Sequence, residues 1–516
     1  MGEWMDSFLA RLAKNRQENI EGGGKDRIEV QHELGKLTAR ERIDRLVDPG
    51  SFEEFGSLVR DPYSRLVQKP KPSPSDGVVM GLARVKGRQV MVYATDFTVM
   101  SGSIGDQGVW KIAELVQMAG QEQIPIIGLI DSAGSRISFK KGFAGLYGMG
   151  RLVRNYCLYS GVIPQITLLL GPCTGPMAQI PALSDFLIMN QNTGFLWLGG
   201  DIESDDAGSA EFHMSKSGQC DLVADSDEEA IDLAKQLFEF LPQNCWEKPC
   251  AVQPTDDPNR REESLLDVMP NNPKFTYDMH EVIDLIVDNG EFFELKEDFA
   301  SNLIIGFARF DGLVTGIAAS NPDELSGIME PDSSDKYDKF LMFLDAFNTP
   351  LLTISDTTAY PPGDKWERMG VIRHGAKNLH GYSHLTNPKV TLVLRRSYGG
   401  SNITMGCSKM GPDFIFGWPT VEFAPTGPES IVQAVFHKQL AKAKEEGNYE
   451  EVYNSFLIPL KEQFSVMNMG KAFTTYYTVH EVIDPRDTRA HIVKALRAAI
   501  NKREELPDKK RYIKPA

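Results

Sequence analysis

Residues 124–130 and 166–170 are unbroken apolar runs of strand length. Each leaves through small residues, Asp131-Ser132-Ala133-Gly134 after the first and Gly171-Pro172-Cys173-Thr174-Gly175 after the second. Continuous runs of this kind predict strands buried on both faces, as in a parallel sheet. Around them the spacing changes. Residues 38–47 are amphipathic at helical period and stopped by Pro49-Gly50, and residues 108–120 are again helix-like. Residues 77–85 and 89–94 are β-rich and joined by a tight turn at Lys86-Gly87-Arg88. Strand alternating with helix predicts an α/β fold with right-handed crossovers. Residues 1 to about 40 read as polar helix with a flexible interruption at Glu21-Gly22-Gly23-Gly24, and residues 490–514 as a basic helix and tail.

The pattern then recurs. Residues 43–55 return at 283–295, an offset of 240. Residues 81–87 match 306–312 and residues 125–131 match 350–356, both at 225, and residues 164–170 match 388–394 at 224. A length of 516 residues exceeds one core, and the repeat divides it into two related domains. These are expected at 1–255 and 270–516, with 256–269 as linker inside the proline- and charge-rich stretch 245–272. The formal charge of −16 excludes a nucleic-acid or anionic-membrane partner, which needs clustered Lys and Arg. The apolar runs are too short to span a bilayer and the N-terminus lacks the run of a signal peptide. A soluble cytoplasmic protein is expected, or one of an organelle matrix whose targeting peptide is absent from this sequence. Six cysteines without a C-x-x-C pair or a zinc-ligand set read as reduced thiols, with no metal site.

Each copy carries two strand ends that turn through small residues. In the first they are Ala133-Gly134-Ser135-Arg136 and Thr174-Gly175-Pro176; in the second, Thr358-Ala359-Tyr360 and Tyr398-Gly399-Gly400-Ser401. Small residues let backbone N–H groups approach a ligand oxygen, and two such turns side by side can form an oxyanion hole. Simple turn geometry is the competing reading, and recurrence in both copies favours a site. There is no Ser-His-Asp set, P-loop or G-x-G-x-x-G after a strand. His374 is a candidate general base, with a capping or ion-paired histidine the preferred reading. Chemistry that needs only amide donors fits this inventory.

Residues 35–43 (Gly-Lys-Leu-Thr-Ala-Arg-Glu-Arg-Ile), 160–166 (Ser-Gly-Val-Ile-Pro-Gln-Ile), 171–173 (Gly-Pro-Cys), 372–377 (Ile-Arg-His-Gly-Ala-Lys), 398–400 (Tyr-Gly-Gly) and 483–489 (Ile-Asp-Pro-Arg-Asp-Thr-Arg) carry a resemblance. Over nearly its full length the chain resembles the carboxyltransferase (β) subunit of biotin-dependent acyl-CoA carboxylases. The resemblance implies two crotonase-like (ClpP/crotonase) domains and a homo-oligomer, usually a hexamer, with sites between the N-terminal half of one subunit and the C-terminal half of another. The N-terminal half would hold the acyl-CoA and the C-terminal half would receive carboxybiotin. CO2 released from carboxybiotin would be attacked by a thioester enolate, formed when the biotin ureido enolate takes the α-proton. With no biotinylation motif or ATP-grasp segment here, biotin would arrive on a separate carrier or biotin carboxylase chain.

Carried over by position, the thioester hole would use Ser135 and Gly175, with Ala133, Gly134 and Thr174 beside them. The biotin hole would use Tyr360, Gly399 and Gly400, with Ala359 and Ser401. Arg136, Lys140, Lys141 and Arg151 are candidates for the CoA phosphates at the first site and Arg395 and Arg396 flank the second, with a surface or ion-pairing role the preferred reading for each, and Ile403 stands where the family often has a residue tied to substrate choice. Three departures are visible. Pro176 replaces the second glycine of Gly-Pro-Cys-Ala-Gly-Gly and has no N–H to donate. The loop after Gly199-Gly200 is short and acidic. Asp356-Thr357-Thr358-Ala359-Tyr360 and Gly400-Ser401-Asn402-Ile403 replace Asp-Val-Pro-Gly-Phe and Gly-Ala-Tyr-Asp, the former being closer to the α subunit of glutaconyl-CoA decarboxylase. The expected function is therefore carboxyl transfer to an acyl-CoA. The alternatives are an acyl-CoA decarboxylase running the half-reaction backwards, with or without biotin, and a non-catalytic scaffold subunit.

Overall fold

The computed structural model describes residues 2–61, 72–138, 142–143, 146–204, 206–272, 275–407, 409–468 and 478–515, with side chains described outside 1–3 and 137–147. Helices α1 (Gly2–Glu21) and α2 (Lys25–Glu33) precede the first repeat, α3 (Ala39–Leu46) opens it, and α4 (Asp106–Glu122) and α5 (Leu146–Tyr159) follow. α3 starts at a capping box: the Thr38 hydroxyl accepts from the Glu41 N–H while the Glu41 carboxylate accepts from the Thr38 N–H. The glycine interruption between α1 and α2 is pinned rather than loose, because the Gly23 N–H donates to Thr98 Oγ1 at 3.0 Å.

The strands of the first repeat are β1 (Glu53–Glu54), β2 (Val78–Val85), β3 (Arg88–Thr95), β4 (Ile126–Ser132), β5 (Gln165–Thr174), β6 (Phe186–Asn190), β7 (Phe195–Trp197) and β8 (Leu222–Ala224). They form one sheet in the order β1-β2-β3-β4-β5-β6-β8, with β7 pairing β5. The β1–β2 and β2–β3 pairs are antiparallel and the pairs from β3 onward parallel. The buried apolar runs are thus the central parallel strands, as their pattern predicts.

The second repeat rebuilds this plan. After α6 (Met279–Ile286), capped by Asp278, come β9 (Phe292–Leu295), β10 (Leu303–Phe310), β11 (Leu313–Ser320), β12 (Leu351–Thr357), β13 (Lys389–Tyr398), β14 (Phe414–Gly417), β15 (Glu422–Ala424) and β16 (Glu481–Val482), in the order β9-β10-β11-β12-β13-β14-β16 with β15 on β13. Helices α7 (Pro331–Ala346) and α8 (Val371–His384) match α4 and α5, and α9 (Gly399–Thr404) follows β13. The likeness reaches single atoms. The Asp48 carboxylate accepts from the Lys86 and Gly87 N–H groups, and the Asp288 carboxylate from those of Asp311 and Gly312. Left-handed residues that are not glycine recur 225 positions apart: Ser75 and Ala300, Lys86 and Asp311, Ser101 and Ser326, Gln123 and Asn348. Non-glycine residues enter that region only when the surroundings demand it, so the two repeats share their strained turns as well as their strands.

The chain divides between Lys248 and Pro249 into units 1–248 and 249–516. The stretch 256–269, expected as linker, packs into the second unit: Leu265 and Val268 join its apolar core, and Arg260 pairs with Asp256 while donating to the Leu285 and Val287 carbonyls. The C-terminal helix spans Thr488–Ala499 only, and the basic tail beyond it is not helical. Among the described residues no helix is long and apolar enough to cross a membrane, and no cluster of His, Cys, Asp and Glu could hold a metal.

Candidate functional site

In each unit the two central parallel strands carry a register shift just before they end, between Ile130 and Ser132 in β4 and between Ser355 and Thr357 in β12. Such an irregularity re-aims the strand end. Beyond it the two expected turns of each unit meet. In the first unit the Thr174 hydroxyl donates to the Ala133 carbonyl at 3.0 Å, and a Cβ on Gly134 would lie 2.7 Å from the Thr174 carbonyl oxygen. Ser135 bridges Ile104: the Ile104 N–H donates to the Gly134 carbonyl at 2.8 Å and the Arg136 N–H to the Ile104 carbonyl at 2.9 Å. By the alternation of a parallel bridge, the Ser135 N–H then points away from Ile104.

Gly175 (φ 63°) and Gly399 (φ 57°) both turn the chain left-handed at the end of the longest strand, where a side chain would be strained. A short 3₁₀ turn, Gly175–Ala178, follows the first and α9 the second. Pro176 sits in the opening turn, where its fixed φ is tolerated. The fold therefore accommodates the proline, and the first unit loses one donor that the second keeps at Gly400. In the second unit Gly399 lies beside Ala359, and a Cβ on Gly400 would stand 3.1 Å from the Tyr360 ring.

Both strand ends are anchored from beneath by a buried aspartate. Asp131 accepts from Lys36 (2.9 Å), Arg42 (3.1 Å) and Gln31 (2.9 Å). Asp356 accepts from Arg395 Nε (2.9 Å) and Arg396 Nε (2.8 Å). Each carboxylate needs such partners because an unpaired charge there would be prohibitive. Two sets of candidate cations thereby take the ion-pairing role. Arg395 and Arg396 hold the second strand end, rather than standing free for phosphates. Arg136 is likewise engaged with Asp76 (2.5 Å), Asp61 (3.1 Å) and the Ser103 carbonyl (2.7 Å), so its guanidinium positions the turn from within. Burial pushes the Asp76 carboxyl up, opposed by Arg136.

The other expected residues divide. Arg151 pairs with Glu114 at 2.7 Å and lies over the Trp110 ring. Lys140 and Lys141 fall outside the described residues. His374 is held by hydrogen bonds: its Nδ1 lies 2.9 Å from Asp335 and its Nε2 3.0 Å from Arg373. The Ser401 hydroxyl is buried and donates to the Tyr398 carbonyl at 2.8 Å, so only its backbone is left for a ligand. Ile403 is 42% exposed on α9.

The turn at Ala359 and Tyr360 opens onto a cavity of about 860 Å³ within the second unit. Met269, Ile328, Pro361 and Pro362 give it apolar walls, and Arg396, Tyr398, Glu422, Glu429 and Lys461 supply polar groups. The Tyr398 phenol donates to Glu422 at 2.6 Å, and burial and that carboxylate push its pKa well up, keeping it a donor. Lys461 pairs with Glu429 at 2.7 Å. No motif or spacing pointed to Glu422, Glu429 or Lys461, which follow Tyr398 by 24 or more residues of sequence. The aspartate anchors did have a signal, since both repeats end a buried run in Asp.

The model of the carboxyl transferase domain matches residues 30–513. This chain belongs to the carboxyl transferase domain family. It is 37% identical over 517 residues to the propionyl-CoA carboxylase carboxyltransferase subunit of Haloferax mediterranei, covering 98% of each chain. It is 38% identical to the methylmalonyl-CoA decarboxylase subunit alpha of Veillonella parvula, covering 95% of each. Among solved structures it matches the transcarboxylase 12S subunit, described as a hexamer with methylmalonyl-coenzyme A and methylmalonic acid bound, with a TM-score of 0.92 at 36% identity over 99% of this chain and 98% of that one. As a carboxyl transferase, the chain has the duplicated crotonase-like α/β fold that the resemblance implies, and it is an enzyme of the biotin-dependent acyl-CoA carboxylase type.

Proposed function

We propose that this protein moves a carboxyl group between biotin, carried on a separate chain, and an acyl-CoA, with the thioester held by the first unit and the biotin ureido group by the second. The observation that carries this reading is the pair of strand-end turns built twice, each over a buried aspartate. In the first unit the Ser135 N–H and the Gly175 turn would receive the thioester oxygen, Pro176 contributing shape but no hydrogen bond. In the second, the Tyr360 and Gly400 segments would present N–H groups, and the cavity beside Ala359 would take a bicyclic ureido ring between its apolar walls and the polar groups that face them. Biotin, when bound, supplies a labile N-carboxyl group and a ureido oxygen on which negative charge gathers once that carboxyl has left. Preorganised amides need not reorient as such charge develops, which is where their catalytic value lies. A homo-oligomer is proposed, with the hexamer of transcarboxylase 12S as precedent.

The test uses the purified full chain with a biotin carrier protein loaded with ¹⁴C-carboxyl label and a panel of short and branched acyl-CoAs. Label should appear in a carboxylated acyl-CoA. Loss of all label as CO2, with no acyl-CoA carboxylated, overturns the reading. Decarboxylation in the cell is the second reading, favoured by the 38% identity to a methylmalonyl-CoA decarboxylase subunit. Co-purification separates the two: a biotin carboxylase chain supports carboxylation, and a membrane-embedded partner supports decarboxylation.

A further inference from the structure

The repeat supplies an internal control for the layer beneath the second site. In the first unit, Val109, Ile112 and Ala113 of α4 and Ile130 of β4 belong to one continuous apolar core. At the same places, 225 residues later, the second unit has Ser334, Tyr337, Asp338 and Ser355, and Gly128 becomes Thr353. Ser334 Oγ, Ser355 Oγ and Thr357 Oγ1 are buried there without a protein hydrogen-bond partner. Buried polar groups of this kind are ordinarily bridged by internal water. At these positions the second unit is polar where the first is apolar, the first unit's own buried hydroxyls being the Tyr93–Tyr156 pair at 2.8 Å.

One chain of hydroxyls rises from this layer into the site. The Tyr337 hydroxyl donates to the Thr404 carbonyl at 3.4 Å. Thr404 Oγ1 lies 3.2 Å from the Gly400 carbonyl and 2.7 Å from the Tyr360 hydroxyl. A threonine hydroxyl has one proton. Given to Gly400, it leaves the oxygen to accept from the Tyr360 phenol, whose pKa burial pushes up so that it stays protonated. The Tyr360 ring also fills the space a side chain at Gly400 would occupy, and packs against Gly375. In the first unit the matching residues are Ser135 and Ile180, which cannot make this link.

We propose that Tyr360 and Thr404 are positioning residues whose hydroxyls clamp the turn at 358–360 to the opening turn of α9, fixing the two amide-bearing segments of the second site against each other. Its consequence for catalysis rests on the proposed carboxyl transfer; the clamp itself does not. The experiment is hydrogen–deuterium exchange on the full-length protein, read in peptides covering 356–362 and 398–405, for Tyr360→Phe, Thr404→Val and the double variant. Each single substitution should raise exchange in both segments by about tenfold, and the double variant should add little, because one link is lost in each case. Thr404→Ser, which keeps the hydroxyl, should restore the parental pattern. In the carboxyl-transfer assay kcat should fall about tenfold with KM within about twofold. Exchange that rises only in the segment carrying the substitution, or that adds in the double variant, overturns the clamp. A parent protein that transfers no carboxyl group overturns the proposed function instead, and leaves the exchange result to decide the clamp.

Discussion

At Gly400 and Pro176 one position of the repeat carries two chemistries. The site of the second unit needs Gly400 bare, because a Cβ would stand 3.1 Å from the Tyr360 ring. Gly400→Ala should therefore displace the ring or the turn and lower carboxyl transfer on the order of tenfold in kcat, since small misplacements of donors weigh heavily. Pro176 already fits its turn, and the first unit retains the Ser135 N–H. Pro176→Gly should accordingly leave acyl-CoA turnover within about threefold, measured at saturating carboxyl donor. A gain of tenfold would instead show that an N–H at residue 176 is the missing donor. The sequence exposed this mismatch through its own repeat, but it gave no sign that Tyr360 reaches Thr404, a residue 44 positions away, because hydroxyl pairing across elements leaves no periodic trace.

Helices α4 and α7 share a device that no sequence pattern announced. Lys111 is buried and donates to the Ser75 (3.0 Å) and Val78 (2.6 Å) carbonyls. Lys336, 225 residues on, donates to those of Lys296 (2.9 Å) and Phe299 (2.7 Å). Burial lowers their pKa values to about 8 and about 7. Each lysine satisfies carbonyls of the left-handed turn that leads into the sheet, a turn that strand hydrogen bonds do not reach. Lys111→Met or Lys336→Met takes the donor from the Val78 or Phe299 carbonyl, while those of Ser75 and Lys296 keep a backbone N–H, and should cost about 2 kcal/mol, after allowing for the relief of a desolvated ammonium. Denaturant unfolding, each variant against the parent, measures it. A hydrophobicity pattern marks both positions as ordinary helix polar residues, because it records spacing and not which buried carbonyls await a donor.

Across the molecule, charge couples stability to pH in opposing senses. His280, held between Glu294 and Asp278, has its pKa raised to about 9, chiefly by the hydrogen bond to Glu294. Its contribution is complete below the unfolded value of about 6.5 and is lost as pH rises to 9. Lys336 runs the other way: the unfolded chain binds its proton up to about pH 10.5, the folded one only to about 7, so stability rises between those values. From pH 7 to 9 the two nearly cancel. His280→Gln should make the melting temperature climb over that window relative to the parent, and Lys336→Met should make it fall. The half-exposed histidine should contribute on the order of 1 kcal/mol after solvent screening. Parallel pH profiles for the parent and both variants would refute this account.

The two-fold plan, the parallel strands and the four strand-end turns are all legible in the order of residues. Those follow from local rules: unbroken apolar runs must be buried on both faces, small residues must turn, and a duplication repeats both at fixed offset. The order of residues also determined where the repeats differ, Pro176 against Gly400. Packing in three dimensions settles which cations are already engaged, Arg136, Arg395 and Arg396 among them, because a buried carboxylate recruits whichever partners the fold brings within reach. It alone assembled the cavity from Glu422, Glu429 and Lys461, and linked Tyr360 to Thr404. A side chain's availability depends on its neighbours in space, and neighbours from distant parts of the chain are chosen by packing rather than by pattern.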